Sequence, residues 1–583
     1  MDHGDEVICL GKGGVYKIRG ITSNNSNENI IEKPMPYLPG VEIYTHESQG
    51  RGYCYVPAES KNSVIIVTDK MNKILKVEGN FPVRKLQYSP LGSYLLILTV
   101  YEQGKNEDNL CVYKLGNELK LLFSFPFRTN SAKVLSTWPP YRWSNNELWA
   151  FKVQDTCLSI YDGHTESLDN PIETLTFNKS IQLSLSSEIS NKQDLNNTYL
   201  NFAIVAYYSN PNVDIYIYHI ERNLDNISSI YLINNKELNE VQQAQLSWNY
   251  NATSLLVFTQ VEGETLGKSY FGSSSLHLFR INNTKTVIPN DIWSKNKTSE
   301  SKNNISVSNK YNVKYIEVVS SSEGPVNDVS WSPIEDEFLL CKGVIPPELT
   351  LNSGYDGSPK LSFGRSRRNT IRWNPSGKWF AYGGFGNLAG ELDIWDVTKQ
   401  KLIGQTNASC CITLEWSFDG RYLLASTTSP RLRVDNAIRV FRYNGDLLGR
   451  IDFDTLYSAF WTPSLLSTRE NIIYRSVSPG REFKPKVTPE KQVYRPRWAT
   501  SDFAERMRVA RGIQDVSKDA NNQRKAKPEY IIPGLPTLEA SVAATKRNGP
   551  TNFIKPKNRF KKKFEQNDLN VNSINGLVNN MSL

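Results

Sequence analysis

From Gly364 to Tyr443, apolar side chains fall on every second position in short runs, Ile371 with Trp373 and then Leu392 with Ile394, separated by polar turns. A period of two places them on one face of an extended strand. Pro375-Ser376-Gly377 supplies the fixed φ and the permissive glycine of a hairpin turn. The stretch is predicted to form short antiparallel strands. Each unit opens on an aromatic anchor, which recurs as Tyr88, Trp143, Trp248, Trp331, Trp373, Trp416 and Trp461. From Trp331 onward the spacings are 42, 43 and 45 residues, within the ~40–45 residue period of four-stranded propeller blades. Earlier spacings of 55, 105 and 83 residues predict a blade with a degenerate anchor in the middle gap, with NFAIVAYYS (201–209) and VDIYIYHI (213–220) as two of its strands. A lone sheet of this kind leaves one face bare, so the blades have to pack radially into a closed ring. The expected fold class is all-β, a WD40-like β-propeller of at least seven blades over residues 1–483. A β-sandwich or a string of small β domains would not repeat its anchor so regularly. Only Trp395-Asp396 matches the WD dipeptide.

The flanking segments extend this reading. EVICL and GVYKI, within the first twenty residues, are expected to complete the last blade, and GRGYCYVP, SVIIVTD and KILKV to build a first blade before Tyr88. Polar tracts near 21–35, 178–198 and 294–310 carry too little apolar surface to order themselves and are expected as loops. After Phe483 a Pro-rich basic linker leads to a short helix expected near 502–511, with Asp502 and Glu505 at capping-box spacing and Gly512 as its stop. The rest of 484–583 is expected to be extended or disordered until a partner orders it.

The 583 residues are 39% apolar and 11% aromatic, enough for a large β core. The longest apolar run, near Tyr94 to Tyr101, is about half of the ~20 residues a membrane span needs. The start MDHGDEVICLGKGG lacks the basic and apolar regions of a secretory signal. Seven cysteines show no CxxC spacing, and the adjacent Cys410 and Cys411 are expected in a strand, pointing to opposite faces, which fits a reducing cytoplasm without zinc or disulfides. A cytoplasmic protein with no membrane partner is expected. Charge is unevenly placed. Residues 484–563 hold 20 Lys and Arg against 7 Asp and Glu. Taking that excess and the two acids beyond it from the chain's +9 leaves residues 1–483 at about −2.

No HExxH, GxSxG, Walker GxxxxGK or His/Cys cluster occurs, so neither an enzyme nor a cofactor is expected. Gly384-Phe385-Gly386-Asn387-Leu388-Ala389-Gly390 resembles a nucleotide-binding glycine loop. That fingerprint must open a helix, whereas Glu391 to Val397 alternates as a strand, so Gly384, Gly386, Asn387 and Gly390 are read as a turn between inner blade strands. Two arginine clusters stand out. Arg365, Arg367, Arg368 and Arg372 precede one anchor, and Arg431, Arg433, Arg439 and Arg442 are expected in the corresponding part of the next blade. They fit either solvated charge on exposed strands or a phosphate-contacting patch. In the tail, Arg559-Phe560-Lys561-Lys562-Lys563 mixes cations with an aromatic ring. Such cations release counterions from RNA and such rings stack on unpaired bases, although basic tails also serve as localisation signals.

The strings GPVNDVSWSP, FGRSRRNTIRWNPSGKW, GFGNLAGELDIWDV and SPRLRVDNAIRVFRYNGDLL, followed by a YRP element and a basic tail, resemble the eukaryotic translation initiation factor 2A family. The resemblance implies a nine-bladed propeller with a basic C-terminal segment. It also implies a cytoplasmic initiation factor that binds the 40S ribosomal subunit and promotes codon-dependent, GTP-independent binding of initiator methionyl-tRNA on selected mRNAs. A monomer is expected. The alternative is a propeller scaffold for protein–protein interaction without direct RNA function. Subunit b of initiation factor 3 is the near relation, but its RNA-recognition motif would precede the propeller, where blade-like strands are expected here.

Overall fold

The computed structural model describes residues 6–19, 34–68, 73–128, 138–178, 180–191, 194–207, 212–222, 228–261, 273–283 and 311–463. Among these, every helix or strand assigned is a strand, and the strands form nine antiparallel sheets. Eight sheets are meanders in chain order, here called blades 1 to 8, beginning at Val41, Val83, Tyr141, Ile181, Gln243, Val326, Thr370 and Thr413. Blade 9 joins the two ends of the propeller. Leu456–Trp461 is its first strand and pairs with Val7–Gly11, which pairs with Gly14–Ile18 and then Leu38–Pro39. The early strands thus complete the last blade, as expected from EVICL and GVYKI. No helix of the described residues is long and apolar enough to cross a membrane.

The repeat has a physical cause in its first hairpin. The residue after each anchor pairs its backbone with the start of the second strand, as in Asn374 N to Trp379 O at 2.9 Å and Ser417 N to Tyr422 O at 2.9 Å. Its side chain receives the returning amide, as in Tyr422 N to Ser417 Oγ at 3.0 Å. The fourth turn residue must then adopt positive φ, as Gly377 does at 69°, a conformation glycine reaches without a Cβ clash. The anchor itself reaches across to the neighbouring blade. Indole Nε1 of Trp248, Trp331, Trp373, Trp416 and Trp461 donates to the carbonyls of Ser184, Ser247, Ser330, Arg372 and Glu415, at 2.9–3.4 Å. In every case the acceptor immediately precedes the anchor position of the previous blade. The apolar core fills the same seams, with clusters shared by neighbouring blades.

Two anchors escaped the aromatic pattern. Blade 4 does contain NFAIVAYYS and VDIYIYHI, in strands Asp194–Tyr207 and Val213–Arg222. Its first strand, Ile181–Leu185, lies inside the tract 178–198, which was expected as a loop. Burial explains the correction: Ile181 and Leu183 alternate into the core, and Leu185 stands where other blades place an aromatic. In blade 1 the equivalent position is His46, the last residue of Val41–His46. Most of the expected loops near 21–35 and 294–310, and the helix near 502–511, lie outside the described residues.

Candidate functional site

A meander reverses direction at each strand. The connections after the second and fourth strands of every blade therefore open on one face of the ring, and those after the first and third on the other. In blades 6 to 8 the first set comprises 343–347, 366–369, 384–390, 408–412, 428–436 and 453–455. Arg367, Arg368, Arg431 and Arg433 belong to it, Arg365 borders it at the end of Pro359–Arg365, and Arg372, Arg439 and Arg442 lie within strands. The two clusters are not equivalent positions, as the sequence pattern implied: Arg365, Arg367 and Arg368 end blade 6 and lead into blade 7, whereas Arg431 and Arg433 sit between the second and third strands of blade 8.

Their environments separate them. Arg368 is 4% exposed, donating to Glu391 Oε2 at 2.5 Å and Asp393 Oδ1 at 3.1 Å. Its charge is neutralised within blade 7, so it cannot reach an external phosphate. Arg439 is likewise mostly buried and donates to Ser409 O at 3.0 Å. Arg365 is exposed and lies 3.9 Å from Glu348. Arg367, Arg431 and Arg433 are exposed and form no ion pair among the described residues.

Hydrogen bonds join the connections from 343 to 412 to their neighbours, and Thr427, which leads into 428–436, donates its Oγ1 to Cys410 O at 3.0 Å. Ser366 N donates to Pro347 O at 3.2 Å, and Ala408 N to Gly390 O at 2.7 Å. Asn369 clamps the next loop from both sides, its Nδ2 donating to Phe385 O at 3.1 Å and its Oδ1 accepting from Phe385 N at 2.9 Å. Within the glycine loop, Gly386 and Gly390 have φ of 73° and 83°. A Cβ on Gly384 would stand 2.5 Å from Arg367 O. The glycines serve a turn that packs closely on the arginine loop. The strand Glu391–Asp396 follows rather than a helix, so the helix N-terminus that holds a pyrophosphate in the nucleotide fingerprint is missing. Asn387 is exposed at the loop tip. At the other end of that strand Trp395 packs edge-on to Phe363 of blade 6, at 5.4 Å, while Asp396 Oδ1 accepts from Thr398 Oγ1 and Lys399 N to close the following turn.

Sequence pattern missed the aliphatic tips of this face. Val344, Ile345 and Val434 are 73%, 57% and 67% exposed, and their signal is an apolar residue set in a Pro- or Gly-bounded loop rather than in an alternating run. All seven cysteines are free, and burial pushes the Cys341 and Cys411 thiols up to about 12. Arg559, Phe560, Lys561, Lys562 and Lys563 lie outside the described residues.

Comparison with known proteins agrees with this architecture. The family model described as eukaryotic translation initiation factor eIF2A matches residues 236–291 and 287–459, from the end of blade 4 into the first strand of blade 9. The chain is 28% identical over 447 residues to eukaryotic translation initiation factor 2A of Dictyostelium discoideum, covering 73% of this chain and 63% of that protein. It is 24% identical to the Caenorhabditis elegans factor of the same name, covering 72% and 66%. It thus spans a little under two thirds of these relatives. A solved structure titled "Crystal structure of the eukaryotic initiation factor" superposes with a TM-score of 0.57 at 22% identity, over 79% of this chain and all of that one, a likeness of fold. With relatives of one name in amoeba, worm, fly and yeasts and a family model laid over the blades that carry the arginine face, the chain belongs to the eukaryotic translation initiation factor 2A family.

Proposed function

We propose that this chain is a non-catalytic, cytoplasmic translation initiation factor that docks on the 40S ribosomal subunit through the arginine face of blades 6 to 8. There it promotes codon-dependent, GTP-independent binding of initiator methionyl-tRNA on selected mRNAs. The observation that carries the docking reading is the set of exposed Arg367, Arg431 and Arg433 without ion pairs, with Arg365 beside them, on hydrogen-bonded connections. Guanidinium groups free of carboxylates are available to phosphate forks, and connections tied to strands hold them at fixed positions. The basic region 484–583, a separate domain in this reading, supplies RNA affinity of low specificity through Arg559, Lys561, Lys562 and Lys563, with Phe560 for stacking.

Sedimentation with purified 40S subunits at two salt concentrations tests the proposal. Changing Arg365, Arg367, Arg431 and Arg433 together to Glu is expected to abolish cosedimentation, while deleting 484–583 weakens binding to any RNA and flattens its salt slope by roughly 0.7 per lost single-strand phosphate contact. Unchanged, salt-insensitive binding in the arginine variant would reject the docking face. That outcome favours the second reading, a protein scaffold, for which the exposed Val344, Ile345 and Val434 are the supporting observation.

A further inference from the structure

Blades 9 and 1 meet in a seam unlike the others. Six rings gather there: Tyr37, Tyr44, His46, Tyr53, Tyr55 and Phe460. Tyr44 stacks on Tyr53 with centroids 5.7 Å apart and planes at 30°, and on Phe460 at 6.3 Å and 21°. Tyr53 stacks on Tyr55 at 6.4 Å and 24°, and His46 leans on Phe460 at 4.7 Å. Strand register produces the row, since His46 lies opposite Tyr53 and Tyr44 opposite Tyr55 in blade 1, while Phe460, Ile8 and Lys17 lie abreast in blade 9.

Two features separate this row from an ordinary core. Tyr44, Tyr55 and Phe460 pack against the core of Ile8, Leu10, Val15 and Val41, yet none of the six rings is fully buried, and Tyr37 at the outer end of the row is 49% exposed. In the seam between blades 3 and 4, by contrast, Trp149, Phe151 and Phe202 are wholly buried. Cations also border the row. The Lys17 ammonium stands 4.2 Å from the centre of the Tyr37 ring and 5.8 Å from that of Tyr53. Neither Lys17 nor Arg51, which immediately precedes the strand of Tyr53, has an ion pair among the described residues. Nearby carboxylates are engaged elsewhere: Glu6 accepts from Arg19 at 2.6 Å and Thr462 at 3.1 Å, and Glu42 pairs with Lys61 at 2.8 Å.

We infer that this seam is a stacking platform for unpaired bases of single-stranded RNA. The exposed ring of Tyr37, at the end of the row, offers a face that accepts any base, and flanking ammonium or guanidinium groups meet the phosphates between bases. Aliphatic side chains, which a peptide groove would need, are represented among the large exposed side chains of the patch by Met35 alone. Lys17 and Tyr53 lie toward the end of the ring opposite Arg367 and Arg431. The platform therefore adds a second contact to the RNA-linked role proposed above and rests on that role for its ligand.

The test uses the full chain and a 20-nucleotide oligouridylate at high salt, where ionic binding by the basic tail fades and stacking persists. Ultraviolet cross-linking followed by peptide mass spectrometry is expected to place uridine on peptides carrying Tyr37 or Tyr53. Exchanging Tyr37, an exposed side chain, for Ser should lower affinity about 5- to 150-fold per base lost, with an unchanged salt slope, while Tyr37→Phe retains binding. An abasic oligomer of equal charge should bind wild type and Tyr37→Ser alike. Cross-links confined to 484–583, or equal losses on the abasic oligomer, would overturn the platform, the latter in favour of a purely ionic patch. The 40S assay of the arginine variant is independent, so loss of 40S binding without seam cross-links rejects only the platform, and the converse rejects only the docking face.

Discussion

From blade 5 to blade 9 every seam carries an indole-to-carbonyl hydrogen bond reaching back to the preceding blade. The four seams from blade 9 through blade 4 are held differently. Tyr94 stacks on Trp143 with centroids 5.0 Å apart and planes at 7°, Phe151 leans on Phe202 at 5.4 Å, and the indoles of Trp138 and Trp149 donate to side chains, Gln87 Oε1 at 2.9 Å and Ser228 Oγ at 3.0 Å, rather than to the carbonyl before an anchor. A directed hydrogen bond fixes the distance and angle between blades, whereas ring-on-ring packing is less directional. Repeat length does not follow this division: the anchors of blades 1 to 4 stand 42, 55 and 42 residues apart, while insertions widen the spacing before the stitched anchors of blades 5 and 6 to 63 and 83. The stitched half is also where the candidate arginines sit, at the strand ends away from the stitches.

Removing a stitch should give the largest effect. Trp416→Ala, at 6% exposure, is expected to destabilise the ring by about 3–5 kcal/mol, measured by chemical denaturation. Trp416→Phe, which leaves the Arg372 carbonyl without its donor, should cost about 1–2 kcal/mol. If Trp416→Phe costs nothing, the stitch does not distinguish the two halves. Next comes the internal cation of the stitched half. Arg368→Met leaves Asp393 buried beside no positive charge and is expected to cost about 3 kcal/mol, readable as a lower denaturation midpoint.

A smaller effect concerns pH. Burial raises the carboxyl of Glu415, the residue whose carbonyl receives the last indole, from 4.5 to about 7 against an opposing backbone hydrogen bond from Trp461. A group whose folded value is raised stabilises fully below 4.5, and that contribution is lost as pH climbs through about 7. Between pH 5 and 8 the wild type should therefore lose on the order of 2 kcal/mol more than Glu415→Gln. Parallel thermal melts of the two proteins would show it. Gly386→Val forces a β-branched side chain into φ of 73° though nothing lies within 4 Å of its Cβ, so a backbone cost of about 1–2 kcal/mol is expected. Loss of a nucleotide affinity at unchanged stability would contradict the structural reading of that loop. Smallest of all, Arg367→Ala should alter stability by less than about 0.5 kcal/mol while reducing 40S binding, the mirror image of its neighbour Arg368.

The same contrast explains what could be read from residues alone. Four blades are legible in the spacing from Trp331 to Trp461 because each anchor there is a tryptophan and no long insertion separates it from the next. Blade 4 was half hidden, since Leu185 cannot donate and only Ser186, which pairs with Asn201 through backbone and side chain, keeps the hairpin's chemistry. Arg367 and Arg368 are identical side chains one residue apart. What buries one of them is a pair of carboxylates 23 and 25 residues further on, and no local pattern announces that pairing. The stacked row between blades 9 and 1 was invisible for a related reason, because it draws on residues 17, 37, 44 to 55 and 460, which meet only when the ring closes.

The stitches also have a direction in time. Each indole points toward the part of the chain made before it, so during synthesis a new blade finds its acceptor already in place and can lock on as it emerges. The first strands have no such benefit. Val7–Gly11 waits for Leu456–Trp461, roughly 450 residues later, which at roughly 5–20 residues per second is a delay of roughly 20 to 90 seconds. Throughout that interval an apolar strand stands with an open edge, the kind of surface that recruits other strands. Until Trp461 is added, the nascent protein keeps that edge open at its oldest end, while its newest blades are already sewn together.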